Sequence, residues 1–292
     1  MTALLRAMSF LTNRMEIVKS DGVKEKFSAD KFCLSMRKAG APREVADTVC
    51  KAVSNNIPPN ASTTTIFRKA LKYLVKESPE VAARYSLRRA IEALGPAGFV
   101  FEQYFETVLQ AYDFTTKRDV ILKGKCVSHE IDIIAETGSK RFLVEAKYHN
   151  IPRLKTHVDV IMYADARLID VLGNESESNK KKFEYGMWVV TNTKFTDTAI
   201  EYAKCRGIRL TGWNYPRGAS LEDIIADKKM YPVTILPSLP KLLLPILAQK
   251  NIILVQDLIT YDIESMIRQF GITREVAAKL INEVSAIIGP KQ

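Results

Sequence analysis

The stretch HEIDIIAETGSKRFLVEAKYHN, His129 to Asn150, constrains the fold more than any other part of the chain. Gly138-Ser139 suits a two-residue turn with glycine at its first central position, and the flanks alternate in polarity as antiparallel strands do. With that turn, Thr137 faces Lys140, Ile134 faces Leu143, and Asp132 faces Glu145. Opposed positions have Cβ atoms about 4.5–5.5 Å apart, so the two carboxylates meet. Apposed acids repel or hold a proton unless a cation lies between them. Lys147, two residues beyond Glu145, stands on the same strand face. Ile131, Ile133, Phe142 and Val144 are expected on the opposite, buried face, and a one-residue slip of register would scatter the charged set.

Two acids and a lysine at one sheet edge suit metal-assisted phosphodiester hydrolysis. Asp132 and Glu145, with the Ala146 carbonyl, are the expected oxygen ligands of Mg2+ or Mn2+. Such an ion polarises the scissile phosphate and lowers the pKa of a bound water. Lys147 is expected to orient or help deprotonate that water and to offset charge on the phosphorane. A carboxylate on the preceding helix completes the expected set. Glu102 and Glu106, one turn apart, face the same direction, and Glu102 is favoured.

The surrounding pattern is α/β. GFVFEQYFETVLQAYDF has helical apolar spacing at Phe99, Tyr104, Phe105, Val108 and Leu109. Two strands follow through the opening stretch. Then come a helix near HVDVIMYADARLIDVL, a polar loop GNESESNKKK and a strand YGMWVVTN. FTDTAIEYAKCRG reads as a helix with Thr196 as its N-cap, and IRLTGW as a last strand. Strand, helix and strand in that order imply crossover connections and a mixed sheet covered on both faces.

Three tracts together resemble the PD-(D/E)xK nucleases, above all Mrr-like restriction endonucleases and archaeal Holliday-junction resolvases. They are the Asp, turn, Glu-x-Lys order of IDIIAETGSKRFLVEAK, the opening helix FVFEQYFETVLQAYDF, and MWVVTNTKFTDTAIEYAKCRGIRLTGW. The resemblance covers residues 96–228 and implies a restriction-endonuclease-like mixed sheet with flanking helices, acting on DNA. The helix after Glu-x-Lys lacks the glutamine many such enzymes carry, which leaves Asp159 or Tyr163 in its role.

Residues 15–95 read as a small hairpin followed by helices. MEIVKSDGVKEKF gives two short strands around Asp21-Gly22, and SADKFCLSMRKAG opens with Ser28 as N-cap and ends at Gly40. PREVADTVCKAVSNNI, STTTIFRKALKYLVKES and PEVAARYSLRRAIEAL show helical spacing. Fifteen Lys and Arg against nine Asp and Glu put more than half of the chain's net charge of +10 here, which favours a polyanionic partner. IVKSDGVKEKFSADKF, TTTIFRKALKYL and ARYSLRRAI resemble the ATP-cone, the regulatory nucleotide-binding domain of ribonucleotide reductases and their repressor. The resemblance implies ATP or dATP as regulatory ligand, Lys19 and Lys31 as phosphate contacts, and Thr65 and Ile66 as base or ribose contacts. Ser20 replaces the family's usual Arg and Val23 stands where a basic residue is common, with Lys24 or Lys26 to compensate.

Residues 229–292 begin with a proline-punctuated join, YPVTILPSLPK, and continue as two similar helix-turn-helix units. They resemble the helix-hairpin-helix modules of DNA-repair proteins, in which hairpin amides contact a phosphate without reading sequence. Gly271 is the hairpin glycine, Thr273 stands where a second glycine is usual, and Asn251 takes the glycine's place in the first unit. An assembly module is the alternative reading of this segment.

Cys33, Cys50, Cys126 and Cys205 show no C-x-x-C spacing, so neither a zinc site nor a disulfide framework is expected. Reduced thiols in a cytoplasm are the simpler reading. MTALLRAMSFLTNRM has no signal-peptide pattern, and the most apolar stretch is broken by Lys241, Lys250, Asp257 and two prolines, so no membrane segment is expected. His129, His149 and His157 are assigned no metal. The expectation is a nucleotide-regulated, Mg2+-dependent DNA endonuclease, cytoplasmic and homo-oligomeric as a dimer or higher. Its rivals are a nucleotide-dependent DNA-binding regulator on a non-catalytic nuclease fold, and a junction-specific repair nuclease.

Overall fold

The structure, a computed structural model, describes residues 15–19, 22–95, 98–151 and 154–288. The segment before Met15, and Ser20 and Asp21 of the expected turn, lie outside the described residues, as does the Phe99 side chain. The described chain forms two compact units. One runs to Leu87 and takes in the residues from Ser285; the other is Arg88–Val284.

In the first unit β1 (Glu16–Val18) and β2 (Lys24–Lys26) pair antiparallel, as their turn signal requires. A third strand the sequence did not suggest, β3 (Ala61–Ser62), pairs parallel with β1. The helices α1 (Ala29–Lys38), α2 (Arg43–Ser54) and α3 (Thr63–Glu77), with the start of α4 (Pro79–Glu92), enclose a core of Ile17, Phe27, Met36, Val49, Val53 and Leu74. Ser28 and Ser62 cap α1 and α3 by accepting the amides of Lys31 and Thr65.

One expectation is overturned here. Cys33 on α1 and Cys50 on α2 form a disulfide, with Cα atoms 5.6 Å apart. A separation of 17 residues carries no pairing signal; only the packing of the two helices brings the sulfurs together. With this pair oxidised, the thiol argument for a reducing compartment does not apply to it. Cys126 and Cys205 are free and exposed.

The second unit opens with α5 (Gly98–Gln110) and is built on a five-stranded sheet. Its strands are β4 (Thr115–Lys123), β5 (Ser128–Thr137), β6 (Lys140–Lys147), β8 (Glu184–Thr191) and β10 (Arg209–Thr211), in the order β10-β8-β6-β5-β4. A small parallel pair, β7 (Lys155–Thr156) and β9 (Lys194–Phe195), stands apart. β5 runs antiparallel to both β4 and β6, whereas β6, β8 and β10 are parallel, giving the mixed sheet that crossover connections demand. β4 escaped the sequence reading because its alternate positions are only half-buried and carry Thr116 and Arg118 among the apolar residues.

Helices α6 (Val158–Asn174) and α8 (Asp197–Arg206) cover one face, packing Ile161, Ala164 and Ala199 on Ile134, Leu143 and Val189. On the other face α5 sets Phe105 edge-on to Trp188 at 5.7 Å, with Phe114 and Phe142 against the same indole. The expected polar loop contains a short helix, α7 (Glu177–Lys182), because Ser176 supplies an N-cap to the Asn179 amide.

The remainder is helical: α9 (Leu221–Asp227), α10 (Leu244–Gln249), a 3-10 helix at Val255–Thr260, α11 (Ile263–Phe270) and α12 (Arg274–Ile288). The first of the two expected helical units therefore ends in a 3-10 turn. Asp257 accepts the amides of Ile253 and Leu254, each at 2.9 Å, and holds that turn short and tight. Tyr104 donates to the Met230 carbonyl at 2.7 Å, and the Gln103 amide to Asn251 Oδ1 at 3.1 Å, tying this segment to α5. Among the described residues no helix is long and apolar enough to cross a membrane.

Candidate active site

The hairpin register pairs Thr137 with Lys140, Ile134 with Leu143 and, furthest out, Ile133 with Val144. Gly138 turns the corner at φ 57, a conformation glycine adopts without strain. Beyond Ile133 the regular pairing with β6 ends, and on the other side the β4–β5 pairs skip Asp119, whose φ is 55. Asp132 sits at this interruption. Its Oδ2 accepts the Ala146 amide at 2.7 Å, so the side chain itself bridges the strands and the carboxylate stays beside Glu145. The alternation changes here too. Ile131, expected with Ile133, packs instead with Ile134 and Leu143 beneath α6 and α8, where the left-handed backbone of Asp119 marks the twist of the strand pair.

α5 brings a third acid. Burial pushes the Glu102 carboxyl up to about 7, with Asp132, Asp119 and Glu130 adding to the shift and Arg118 opposing it. Burial also raises Asp132, against the opposing pull of the Ala146 amide and Arg167. Glu145 is raised by burial and by Asp132, against Arg167 and Lys147. Glu106, one turn on from Glu102, has a different fate. Arg118 lies 3.2 Å from its carboxylate and the Thr116 hydroxyl donates to it at 3.0 Å. Lys147 ends β6 opposite Thr191 of β8, close enough to Glu145 to favour its ionised form.

Sequence reasoning missed Arg167. Its Nη1 lies 2.5 Å from Glu145 Oε2, and its guanidinium covers the Tyr163 ring at 4.4 Å. Along the chain it reads like any solvated helical arginine; only the packing of α6 on the sheet brings it to the acids. Tyr163 is 58% exposed and meets the acids through Arg167, and Asp159 is an exposed residue of the first turn of α6. Tyr148 donates to the Glu92 carbonyl at 3.0 Å, while His149 and Asn192 exchange backbone–side-chain bonds of 2.8 and 2.9 Å. These bonds anchor the strand end that carries Lys147.

His129 is paired with Asp170 at 2.8 Å and His149 with Thr156 at 3.0 Å. Among the described residues no three His, Cys, Asp or Glu side chains form a ready-made metal cluster. Two carboxylates and a carbonyl are a different kind of donor set, the kind Mg2+ uses when water fills its remaining positions. The upward shifts at Glu102, Asp132 and Glu145 come first from burial and only then from neighbouring acids, and a divalent cation favours the ionised form against both. The residues present fit such an ion.

In the first unit Val18 is paired with both Lys24 and Ser62, which gathers Lys19, Lys24 and the Thr65 end of α3 at one end of the small sheet. Lys19 Nζ is 2.5 Å from Glu25 Oε2. Lys31 lies in the first turn of α1, which starts from the opposite end, where the Phe27 amide donates to Met15. The Ile66 side chain is 5% exposed and belongs to the core, so only its backbone is left to meet a ligand. At the C-terminal turns Asn251 and Gly271 both have left-handed backbones, with φ 56 and 66.

Comparison with known proteins matches two successive stretches of the chain. Residues 96–214 match the Mrr catalytic family model, described as restriction endonuclease. Residues 231–288 match the model described as AF1548-like, C-terminal. An uncharacterized protein of Archaeoglobus fulgidus is 37% identical over 182 residues, which is 62% of this chain and 98% of that protein. A crystal structure described as a protein of unknown function, AF1548, is 35% identical with a TM-score of 0.53, covering 66% of this chain and 99% of its own.

Proposed function

We propose that this chain, which belongs to the AF1548-like family and carries a restriction-endonuclease-like domain at residues 96–214, is a metal-dependent endodeoxyribonuclease. The observation that carries this reading is the gathering of Asp132, Glu145 and Glu102 where the strand pairing is interrupted, with Lys147 beside them. Asp132, Glu145 and the Ala146 carbonyl would hold Mg2+ or Mn2+. Such an ion, when bound, polarises the phosphate and lowers the pKa of a coordinated water. Lys147 orients the attacking water and offsets charge on the phosphorane. Glu102, with a carboxyl pushed up to about 7, is suited to take the proton that water gives up. The test is to incubate plasmid, linear, branched and single-stranded DNA with the protein and Mg2+ or Mn2+. Cleavage by wild type that vanishes in Asp132→Ala and Lys147→Ala supports the reading; cleavage that survives both substitutions sinks it.

Regulation by ATP or dATP is proposed for the first unit. It is supported by the convergence of Lys19, Lys24 and the start of α3, since a triphosphate needs several cations and amides directed at one small volume. The two left-handed turns at Asn251 and Gly271 support a phosphate-docking role for the C-terminal segment. A nucleotide that switches oligomeric state must bind one state more tightly than the other. Gel-filtration profiles and cleavage rates that are the same with and without ATP or dATP would remove the regulatory half of the proposal.

A further inference from the structure

Arg167 is a cation placed where the proposed metal is needed. Its Nη1 holds Glu145 Oε2 at 2.5 Å, and both side chains are less than a fifth exposed. Asp132 lies within its field as well. The remainder of the guanidinium is poorly satisfied. Nη2 reaches only the Tyr163 hydroxyl, at 3.4 Å, and Nε is buried without a hydrogen-bond partner among the described residues. A structural ion pair of this burial normally uses all its donors, because each lost bond to water has to be replaced. On the neighbouring helices Arg206, though 44% exposed, gives two nitrogens to Asp165, Nε at 2.7 Å and Nη2 at 3.3 Å. Arg167 has one strong bond, and it is to a proposed metal ligand. Beneath it the exposed Tyr163 ring offers a face along which the guanidinium can move while keeping its cation–π contact.

We propose that Arg167 is a built-in counter-ion for the metal-free site. It neutralises Glu145 against Asp132, competes with the divalent cation for that carboxylate, and once displaced turns its guanidinium fork toward a DNA phosphate. The proposal rests on the nuclease reading and names a positioning and phosphate-contacting residue for it. Guanidinium geometry suits the second task, since its paired N–H groups match phosphate oxygens.

Competition has a signature that a purely structural arginine lacks: metal affinity and turnover move in opposite directions. Mn2+ is titrated into metal-free, full-length protein by calorimetry, without DNA, for wild type, Arg167→Ala, Arg167→Lys and Glu145→Gln, with melting curves to confirm folding. Arg167→Ala is expected to bind Mn2+ about tenfold tighter, the scale of losing one close, desolvated charge pair, and to cleave DNA more slowly. Arg167→Lys should fall between, because an ammonium keeps the charge and loses the fork; it also stands in should the alanine variant fail to fold. In a Glu145→Gln background the Arg167 substitution should change Mn2+ affinity far less than in wild type, with only its field at Asp132 left to act, as a double-mutant cycle requires of a direct pair. Equal or weaker Mn2+ binding by a folded Arg167→Ala protein overturns the competition, and undiminished cleavage overturns the phosphate contact. Wild type that binds Mn2+ while its variants behave so defeats this inference alone; wild type that neither binds Mn2+ nor cleaves DNA defeats the nuclease reading with it.

Discussion

The Asp132–Glu145 hairpin and the Lys19–Lys24 hairpin each gather like charges at one end, with opposite sign and opposite exposure. The acids stand at the open end of their antiparallel pair, beyond Ile133 and Val144, and the lysines at the turn end of theirs, beside the Val18–Lys24 pairing. At the central hairpin the charges are half-buried and burial raises every acid in the group. At the N-terminal hairpin Lys19 and its partner Glu25 are each about a third exposed, and their ion pair is of the solvated kind that contributes little to stability. The contrast teaches where to look for chemistry. A solvated charge costs almost nothing to keep, whereas crowded, desolvated acids lower stability and persist in a fold that uses them.

The largest effect that separates the two hairpins belongs to Asp132. Asp132→Ala or Lys147→Ala should lower cleavage at least about a thousandfold, the scale of losing a preorganised electrostatic contact in a transition state. Asp132→Asn should abolish cleavage equally, yet leave the metal-free melting temperature unchanged or higher, because it removes a charge that burial disfavours. A marked drop in melting temperature would mean that Asp132 is chiefly structural.

The next effect is confined to the other unit. Cys33→Ser should destabilise the first unit by about 2–4 kcal/mol, the usual worth of a disulfide. Basal DNA cleavage should stay the same, since the acids lie elsewhere. Thermal unfolding with and without reductant, read beside a cleavage assay, checks both halves.

A smaller effect concerns pH. Glu102 has its folded pKa raised from 4.5 to about 7, so its contribution to metal-free stability is greatest below pH 4.5 and is lost as pH rises through about 7. Cleavage should run the other way, increasing with pH as Glu102 becomes able to accept a proton. Glu102→Gln should flatten both profiles, and Glu106→Gln, whose carboxylate is held by Arg118, should flatten neither.

The smallest effect is at the exposed hairpin. Lys19→Ala should weaken ATP or dATP binding about tenfold, roughly one charge-assisted hydrogen bond, with no measurable change in melting temperature. Fluorescent-nucleotide titration reads the first, and calorimetry the second.

Much of the central site was legible in the chain, and the reason is local. A two-residue turn sets which residues oppose one another, so the pairing of Ile134 with Leu143 and Thr137 with Lys140 follows from Gly138-Ser139. Caps at Ser28 and Thr196 were legible for the same reason, since each is satisfied by an amide three residues away. Ile131 was not, because the left-handed backbone at Asp119 alters the alternation and nothing in the residue itself announces it. β4 was obscured by polar residues at half-buried positions, and α7 by a sequence that looked like loop until Ser176 capped it.

The chain alone determined the turn at Gly138-Ser139 and the register of the strands flanking it as far as Ile133 and Val144, because extended backbone spaces its side chains by covalent geometry. Tertiary structure decided that Glu102 and not Glu106 turns to those acids, that Arg167 arrives to neutralise one of them, and that Cys33 meets Cys50. Those meetings join residues far apart in sequence, and they depend on how whole helices seat against a core, which no local spacing encodes.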